Sequence, residues 1–593
     1  MPSDIDNILK KTFKISENEG ENKVVPLGEA VKNNVEPKMT LHIAIEANAA
    51  INEIIRQFYG KQPEFTLVMP GIIATALNLI YCGLIKKTIT SSYSFLAPFM
   101  APSAIARNAY KTKSVEFEDW TLCSISQRLM AGAMGLAFMP TKSITGSSIA
   151  KENENTFKTI ADPFGSDKNI GLAKALNPDI SIIHAWAADP YGNTIISPAS
   201  PGLSWDSHLW GSKASKKGVI VTVEKVVTTD FIRKHSSLVR LPGYMVKAVS
   251  PVPMGAHPTS FISQNIEEFE AYGDDYDFIT SYKEATKNTQ HLDAWIKEWI
   301  LDINSHEDYI NKVGVKKFYF LKNKAEKNSW ESVKQNIIPN ISLSTKANRL
   351  ETKIIMASRV IRDIVLKQGY KIMLGGAGVA GLASWLAYYK LRANNIDIEL
   401  LSGTGIFGFA PRPFDSFFGS IYNIPTCKIL TDTLDIYGVI IGGTNASAIS
   451  VMGAGQIDQY GNVNSTKIAS SYITGSGGSN DAANASEVVI IAEQSPKRFV
   501  ENVPYVTFCG DRVTTIISSM GIFKKNVASD TFVLTNYFPD QNLTSSDQII
   551  KKIKDHCGWK LNVSKDVSET EDPLKEELLT LRILDPKQIF TKQ

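Results

Sequence analysis

The sequence predicts an α/β protein built from two similar open α/β domains, and two repeated patterns lead to this fold class. Residues 65–85 and residues 372–389 each read as an apolar strand, a turn containing glycine and an apolar helix. Residues 189–193 (DPYGN) and 458–462 (DQYGN) repeat a turn motif, and each copy follows an apolar run typical of a buried strand. Because parallel strands require crossover helices, these repeats favour two duplicated parallel-sheet units.

The two uncharged stretches approach the length of a membrane-spanning helix, which is about 20 apolar residues. Pro70 and Gly71 interrupt the first stretch, and four glycines lie in the first ten residues of the second. We therefore interpret both as buried strand–turn–helix units and predict no membrane partner. The N-terminal residues lack the continuous apolar segment of a secretory signal.

The composition is that of an ordinary globular protein. The chain has 593 residues, a net charge of +3 and 63 basic against 60 acidic side chains that are mixed along the sequence. Without a basic block, nucleic acid is an unlikely partner by charge, and we predict none. The five cysteines form no CxxC pair, which favours neither a metal site nor a disulfide framework. We predict a cytoplasmic protein that holds no metal.

Changes in composition and in helical pattern along the chain predict its domain boundaries. We expect an N-terminal tail at 1–24, a first α/β domain at 25–264, a helical extension and linker at 265–348, and a second α/β domain at 349–593. In the helical extension, Trp295, Trp299 and Ile300 form an amphipathic stripe, which we interpret as core packing and not as a cofactor site.

Longer motifs in both halves resemble one enzyme family. Residues 453–466 (GAGQIDQYGNVNST), 474–478 (TGSGG) and 487–507 resemble the β subunit of glutaconate CoA-transferase. Residues 131–148 (AGAMGLAFMPTKSITGSS) and 241–261 resemble its α subunit. The chain therefore resembles a family I CoA-transferase in which the α and β subunits are fused. The resemblance implies two α/β domains of the CoA-transferase type, with a site for an acyl-CoA thioester between them.

The resemblance also implies a departure from the usual chemistry. In the family, a glutamate at the end of a β-subunit strand attacks the thioester and carries CoA to an acceptor acid. Here the corresponding stretch, residues 403–411, reads GTGIFGFAP, so Gly403 occupies the nucleophile position. Glu399, four residues earlier, is the alternative nucleophile, although it also reads as an ordinary polar residue of a strand.

Other parts of the family's site are present. Residues 475–478, which we call the glycine loop, match the loop whose backbone N–H groups stabilise charge on the thioester oxygen. A plain surface turn is the alternative interpretation of the same residues. We assign catalytic roles to Gly477 and Gly478, and substrate or CoA binding to Gly455, Gln456, Asn464, Gly475 and Ser476.

Glu118 is the candidate general base of the first half. The resemblance places a glutamate here, and we expect burial between the domains to raise its pKa. The alternative is a helix-start acid, and Glu116 and Asp119 are nearby substitutes. Lys142 and Ser143 are candidates for binding a substrate carboxylate, with Lys142 acting as a point charge where the family has arginine.

Three functional hypotheses follow. The first is an enzyme that hydrolyses, decarboxylates or cleaves by retro-Claisen chemistry a dicarboxylic, enoyl or β-keto acyl-CoA. The second is conventional CoA transfer through Glu399, and the third is a non-catalytic acyl-CoA-binding protein. Coenzyme A enters as the substrate thioester, an acyl carrier protein thioester is the alternative partner, and a homo-oligomer is possible.

Overall fold

The computed structural model describes residues 2–16, 19–95, 100–165, 169–196, 205–263, 266, 269–469, 471–540, 542–543 and 545–592. Each half contains one large sheet flanked by helices, so the predicted α/β class with two similar halves is confirmed. The predicted boundary between residues 264 and 265 lies outside the described residues.

Within the described residues, the sheet of the first half has nine strands. In chain order they are β1 (Thr40–Ile43), β2 (Phe65–Val68), β3 (Ile85–Thr90), β4 (Glu116–Asp119), β5 (Ile180–Ala188), β6 (Thr194–Ile195), β7 (Val219–Val226), β8 (Val239–Leu241) and β9 (Val246–Pro251). The strands β9, β7, β5, β1, β2, β3 and β4 lie side by side and run parallel, while β6 and β8 add an antiparallel edge.

The sheet of the second half has ten strands in the described part of the chain. In chain order they are β10 (Ile372–Gly375), β11 (Glu399–Ser402), β12 (Ile406–Phe407), β13 (Ile429–Leu430), β14 (Ala448–Gly453), β15 (Glu487–Ile491), β16 (Val513–Ile517), β17 (Gly521–Asn526), β18 (Thr531–Tyr537) and β19 (Asn562–Glu569). Its parallel centre is β11–β10–β14–β15–β16. The central strands are almost wholly apolar and buried, as expected for a sheet covered on both faces.

The helices of the described chain are α1 (Pro2–Thr12), α2 (Leu27–Asn34), α3 (Asn48–Phe58), α4 (Leu77–Tyr81), α5 (Ala104–Thr112), α6 (Leu122–Ala133), α7 (Ser148–Glu152), α8 (Trp205–Ala214), α9 (Thr229–Lys234), α10 (Tyr276–Ala285), α11 (Thr289–Ile296), α12 (His306–Val313), α13 (Val315–Lys324), α14 (Ser329–Ile337), α15 (Arg349–Gln368), α16 (Val379–Ala393), α17 (Ser479–Ala482), α18 (Ser546–Asp555) and α19 (Lys575–Leu584). Smaller antiparallel strand groups are Phe138–Thr141 with Phe157–Ala161 and Asn169–Lys174, Gln456–Ile457 with Val463–Asn464, and Lys467–Ile468 with Ser471–Tyr472. No helix in the described ranges is long and apolar enough to cross a membrane.

The two sheets share the order of five parallel strands. The order β9–β7–β5–β1–β2 in the first half corresponds to β16–β15–β14–β10–β11 in the second. In both, a crossover helix joins the last two strands, α3 between β1 and β2 and α16 between β10 and β11. This order corrects one detail of the sequence comparison: residues 372–389 begin with the counterpart of β1, whereas residues 65–85 begin with the counterpart of β11.

The repeated turns have the same hydrogen bonds in both halves. The Asp189 carboxylate accepts from the backbone N–H of Tyr191 (3.1 Å) and from both the backbone and the side chain of Asn193 (2.9 Å each). The Asp458 carboxylate repeats the pattern with the residues two and four positions later, at 3.0, 3.0 and 3.1 Å. The glycine of each turn has a positive φ, 93° and 88°, which few other residues adopt at low cost. The predicted duplication of this turn is confirmed.

Helices α10–α14 lie within residues 265–348, the segment for which the sequence predicts a helical extension and linker. Trp295 and Ile300 are buried there, and Trp299 is partly buried against the same core, so the core-packing interpretation of this stripe is confirmed. The second half then opens with α15, whose first turn is capped by Asn348 and Glu351 in a reciprocal capping box.

Candidate functional site

A cavity lies where the carboxyl ends of corresponding strands in the two sheets meet. It is lined by Ile45 beyond β1, Gly71 beyond β2, Gly375 at the end of β10, Gly403 beyond β11 and Gly453 at the end of β14. Its empty space is about 1200 Å³, part of which is open to solvent. The carboxyl ends of parallel strands are where α/β sheets bind their ligands. The first and second halves therefore build this site jointly.

The glycine loop of the second half is attached to the first half. The Gly477 N–H donates to the Ser91 carbonyl (3.0 Å), and the Gly477 carbonyl accepts from the N–H of Leu122 (3.1 Å). The Ser476 hydroxyl donates to the Trp120 carbonyl (2.8 Å). These bonds hold the loop at the mouth of the cavity, where all four of its residues contribute to the lining.

The two backbone amides of the loop with predicted catalytic roles differ in their hydrogen bonds. The Gly477 N–H already donates to Ser91, so the prediction that it stabilises a thioester oxygen is corrected. The Gly478 N–H donates to no described residue, and Gly478 lines the cavity. An unengaged backbone amide at a cavity wall is the kind of donor that stabilises negative charge on a carbonyl oxygen.

The hydroxyl of Tyr437 lies between Gly403 and Gly478. A Cβ added to Gly403 would stand 1.8 Å from the Tyr437 Oη, and one added to Gly478 would stand 1.9 Å from it. Both distances are far below van der Waals contact, so this tyrosine and a side chain at either position exclude each other. The Tyr437 phenol thus fills the space that a side chain at position 403 would enter.

Tyr437 lies in a π-helix, Leu434–Ile441, and is buried with 7% of its surface exposed. π-Helical turns are rare and often occur at functional sites. Burial raises the pKa of Tyr437, with smaller contributions from the nearby Asp481 and Cys123, so its hydroxyl stays protonated. The hydroxyl makes no hydrogen bond with any described residue, although Tyr437 lines the cavity.

Asp481 joins the two halves below this tyrosine. Its carboxylate accepts from the Ser143 hydroxyl (2.6 Å), the Thr121 hydroxyl (3.0 Å) and the Cys123 N–H (3.1 Å). Burial raises its pKa to about 6, against the effect of these donors. The carboxyl is therefore close to its titration point near neutral pH, and it belongs to the interface that positions Tyr437 and the glycine loop.

Similarity to known proteins agrees with this architecture. The family described as Coenzyme A transferase matches residues 25–251. The chain is 28% identical to one subunit of the glutaconate CoA-transferase of Acidaminococcus fermentans, over 36% of this chain and 68% of that protein. It is also 26% identical to the other subunit of the same enzyme, over 41% of this chain and 94% of that protein. These matches to the two halves fit a family I CoA-transferase whose two subunits are fused in one chain.

A solved structure supports the fold over almost the whole length. The acyl-CoA transferase YdiF of Escherichia coli O157:H7 aligns with a TM-score of 0.63 and 17% identity, covering 94% of this chain and 97% of that chain. At this identity the likeness concerns the fold. The matched CoA-transferases are enzymes that act on acyl-CoA, and the matches to both halves indicate that this chain is an enzyme of this kind.

Glu118 does not have the properties predicted for a general base. Its carboxylate accepts from the Trp120 indole (2.8 Å) and pairs with Arg128 (2.9 Å) and Lys87 (2.8 Å). Burial alone would raise the pKa of Glu118, but Arg128, Lys87 and the indole together hold it below its usual value. The expectation of a raised pKa is therefore corrected, and Glu118 is not among the residues that line the cavity.

Glu399, the alternative nucleophile, lies at the opposite end of β11 from Gly403. Its carboxylate pairs with Lys428, and it does not line the cavity. The nearby Asp119, named as a substitute for Glu118, is buried and accepts from the Tyr472 hydroxyl (2.6 Å). Burial raises the pKa of Asp119 to about 6.

Lys142 and Ser143 line a second cavity of about 1040 Å³ on the other side of Tyr437. The Lys142 ammonium donates to the Gly442 carbonyl (2.8 Å), and Ser143 is engaged with Asp481. Tyr437 lines both cavities and separates the glycine loop from the predicted carboxylate-binding pair.

The remaining predicted binding residues, Gly455, Gln456 and Asn464, do not line the main cavity. The Asn464 amide donates to the Gln456 side chain (2.9 Å), and its oxygen accepts from the Thr466 N–H (3.1 Å). Gly455 packs so closely on Asn464 that an added Cβ would stand 2.7 Å from the Asn464 carbonyl oxygen. In the structure these residues shape the turns before the glycine loop, and their contact with a substrate stays a prediction.

Sequence reasoning missed Tyr437 and Asp481. Asp481 follows the recognised TGSGG motif by three residues, so its proximity to the site was a signal that could have found it. Tyr437 lies in an apolar run, LDIYGVIIGG, that carries no turn, cap or catalytic pattern. Only the three-dimensional structure brings it to the nucleophile position.

Proposed function

We propose that this CoA-transferase relative removes a carboxylate carbon from an acyl-CoA as CO₂, without a covalent enzyme–CoA intermediate. One observation carries the proposal: none of the described residues that line the main cavity is acidic, basic or a histidine. The nucleophile position is Gly403, and the adjacent space is filled by the Tyr437 hydroxyl.

Loss of CO₂ is the reaction that needs neither a nucleophile nor a base. The bond between Cα and the carboxylate carbon breaks, its electron pair moves into the thioester to form an enolate, and CO₂ leaves. A proton then adds to Cα, so the net change consumes one proton and releases one CO₂. What the protein must supply is a donor to the enolate oxygen, for which the unengaged N–H of Gly478 is available.

The uncharged lining supports the same step. A carboxylate held against apolar and neutral groups loses its hydration, whereas the enolate formed from it is delocalised and retains a hydrogen-bond donor. The alternatives need groups that the cavity does not offer among its described residues. Hydrolysis and retro-Claisen cleavage need a base for water, but Glu118 is held by two cations. Transfer needs a nucleophilic carboxylate.

The substrate class follows from the electron flow. The leaving carboxylate must be on Cα of the thioester, or on the γ-carbon of an α,β-unsaturated acyl chain, where the double bond conducts the electrons to the carbonyl. Both belong to the dicarboxylic and enoyl acyl-CoAs predicted from the sequence. The same assay can compare the two thiol carriers, free CoA and an acyl carrier protein.

Matched thioesters test the proposal. We expect purified protein to release CO₂ from malonyl-CoA, methylmalonyl-CoA or glutaconyl-CoA, and none from succinyl-CoA or glutaryl-CoA, whose carboxylates lack this electron path. Mass spectrometry of the products and a CO₂ assay give the readout. Release of free CoA from the whole set would indicate hydrolysis instead. An enzyme-bound CoA thioester in the presence of acetate, trapped with borohydride, would overturn the proposal in favour of conventional transfer.

A further inference from the structure

Tyr437 is the only titratable side chain among the described residues that line the main cavity. Its hydroxyl lies against both Gly403 and Gly478, and both glycines also line the cavity. A ligand that reaches Gly403 from the cavity therefore meets this hydroxyl first.

The hydroxyl is free to act on a ligand. Tyr437 is buried, yet its hydroxyl donates to no described residue. The Tyr437 oxygen is not one of the fully enclosed polar atoms that lack a partner in the described chain, so it is accessible from the cavity, where water or a ligand can supply its hydrogen bond. The close approach of two glycine backbones, rather than a hydrogen bond, fixes the position of this oxygen.

We infer that the Tyr437 hydroxyl is the proton donor that completes the reaction, transferring its proton to Cα of the enolate after CO₂ has left. The O–H bond of the phenol breaks, a C–H bond forms at Cα, and the resulting phenolate recovers a proton from solvent through the open side of the cavity. This inference rests on the proposed decarboxylation and assigns its second step to a residue.

The chemistry suits a phenol at this position. A thioester enolate is a much stronger base than a phenolate, so the transfer is downhill even though burial raises the pKa of Tyr437. The same raised pKa keeps the proton in place until the enolate forms. A carboxylate at position 403, as in the family, would be ionised near neutrality and would have no proton to give.

Tyr437→Phe removes only the oxygen atom, and the matched control is Tyr282→Phe. Tyr282 is also buried, but its hydroxyl donates to the Asn78 side chain (2.7 Å) and lies outside the cavity lining. Methylmalonyl-CoA is decarboxylated in D₂O, and the configuration of deuterium at Cα of the product is measured together with kcat and with the Kd of a non-reactive acyl-CoA thioether.

We expect wild-type protein and Tyr282→Phe to place deuterium on one face of Cα. Tyr437→Phe should give deuterium on both faces, with kcat lowered about 10²-fold or more and the thioether Kd changed less than twofold. Deuterium on a single face in Tyr437→Phe would overturn the inference while leaving the proposed function intact. If wild-type protein decarboxylates no thioester of the panel, the proposed function fails, and this inference fails with it.

Discussion

The Tyr437 hydroxyl oxygen stands 1.8 Å from the point at which a side chain on Gly403 would begin. The absence of a side chain at position 403 and the position of the Tyr437 phenol are therefore one feature of the structure. A side chain at position 403 requires the ring of Tyr437 to leave its present position. The change in the free energy of unfolding when Gly403 is substituted therefore tests this contact directly.

Gly403→Ala should lower the free energy of unfolding by about 2 kcal/mol or more, because even a methyl group overlaps the Tyr437 hydroxyl. Urea denaturation followed by circular dichroism gives the measurement. Gly438→Ala, in the same π-helix but with open space around its Cβ, is the matched control and should change the value by less than about 1 kcal/mol. The double variant Gly403→Ala/Tyr437→Ala should be more stable than the sum of the two single effects predicts. Additive effects would argue against the contact.

Glu399→Gln should leave both turnover and stability nearly unchanged. The pair that Glu399 forms with Lys428 is partly exposed, and exposed pairs typically contribute less than about 1 kcal/mol. Steady-state assays with the active thioester of the panel and urea denaturation check the two parts. A loss of turnover above tenfold in folded protein would restore Glu399 as the nucleophile and would contradict the position of this side chain at the far end of β11.

Much of the fold could be predicted because its signals are local. The turns at Asp189 and Asp458 carry their own hydrogen-bond partners within four residues, so the motif alone specifies their geometry. The order of strands in the sheets has no such local signal, because it depends on contacts between residues far apart in the sequence. Residues 65–85 were matched to the wrong strand of the second half because a βα turn predicts the next helix but not the neighbours of the strand.

The site was predictable only where a motif continues through it. The glycine loop and Gly403 were both identified from sequence, and the structure brings them to the two sides of the same phenol. Which amide is free could not be predicted, because the bond from Gly477 to Ser91 joins residues 386 positions apart. The pKa of Glu118 was misjudged for a related reason: burial was expected, but the cations Arg128 and Lys87 that accompany it were not.

Glu118→Gln should destabilise the protein by about 3 kcal/mol, because it leaves the buried Arg128 guanidinium without its counter-charge. Glu116→Gln is the matched control, since Glu116 shares Lys87 with Glu118 but is exposed, and it should cost less than about 1 kcal/mol. The stabilisation from Glu118, whose pKa is lowered in the folded state, should be present above its ordinary value and should be lost as pH falls below it. Urea denaturation between pH 3 and pH 7 gives the measurement, and equal costs for the two variants would contradict the buried ion pair.

Asp481 should make the protein less stable as pH rises from about 4 to about 6. Its carboxyl has a pKa of about 6 in the folded protein because it is buried, whereas an unfolded aspartate titrates near pH 4. Between these values the folded state binds the proton more tightly than the unfolded state, so stability falls with increasing pH and levels off above the folded pKa. A difference of about two pKa units corresponds to roughly 2–3 kcal/mol.

Asp481→Asn removes this titration and keeps one oxygen, which can still accept from the Ser143 and Thr121 hydroxyls at the Oδ1 position. The bond from the Cys123 N–H to Oδ2 is lost, and this cost is the same at every pH. Urea denaturation at intervals from pH 4 to pH 7 gives the free energy of unfolding of wild type and of Asp481→Asn. The difference, wild type minus variant, should decrease by roughly 2–3 kcal/mol as pH rises. The exposed Asp511 supplies the control, because Asp511→Asn should give a difference that stays within about 0.5 kcal/mol over the range. Parallel stability curves for wild type and Asp481→Asn would mean that the carboxyl is already ionised at pH 4. The interface next to Tyr437 would then carry the negative charge of Asp481. The uncharged surroundings that favour loss of CO₂ would be limited to the residues that line the cavity.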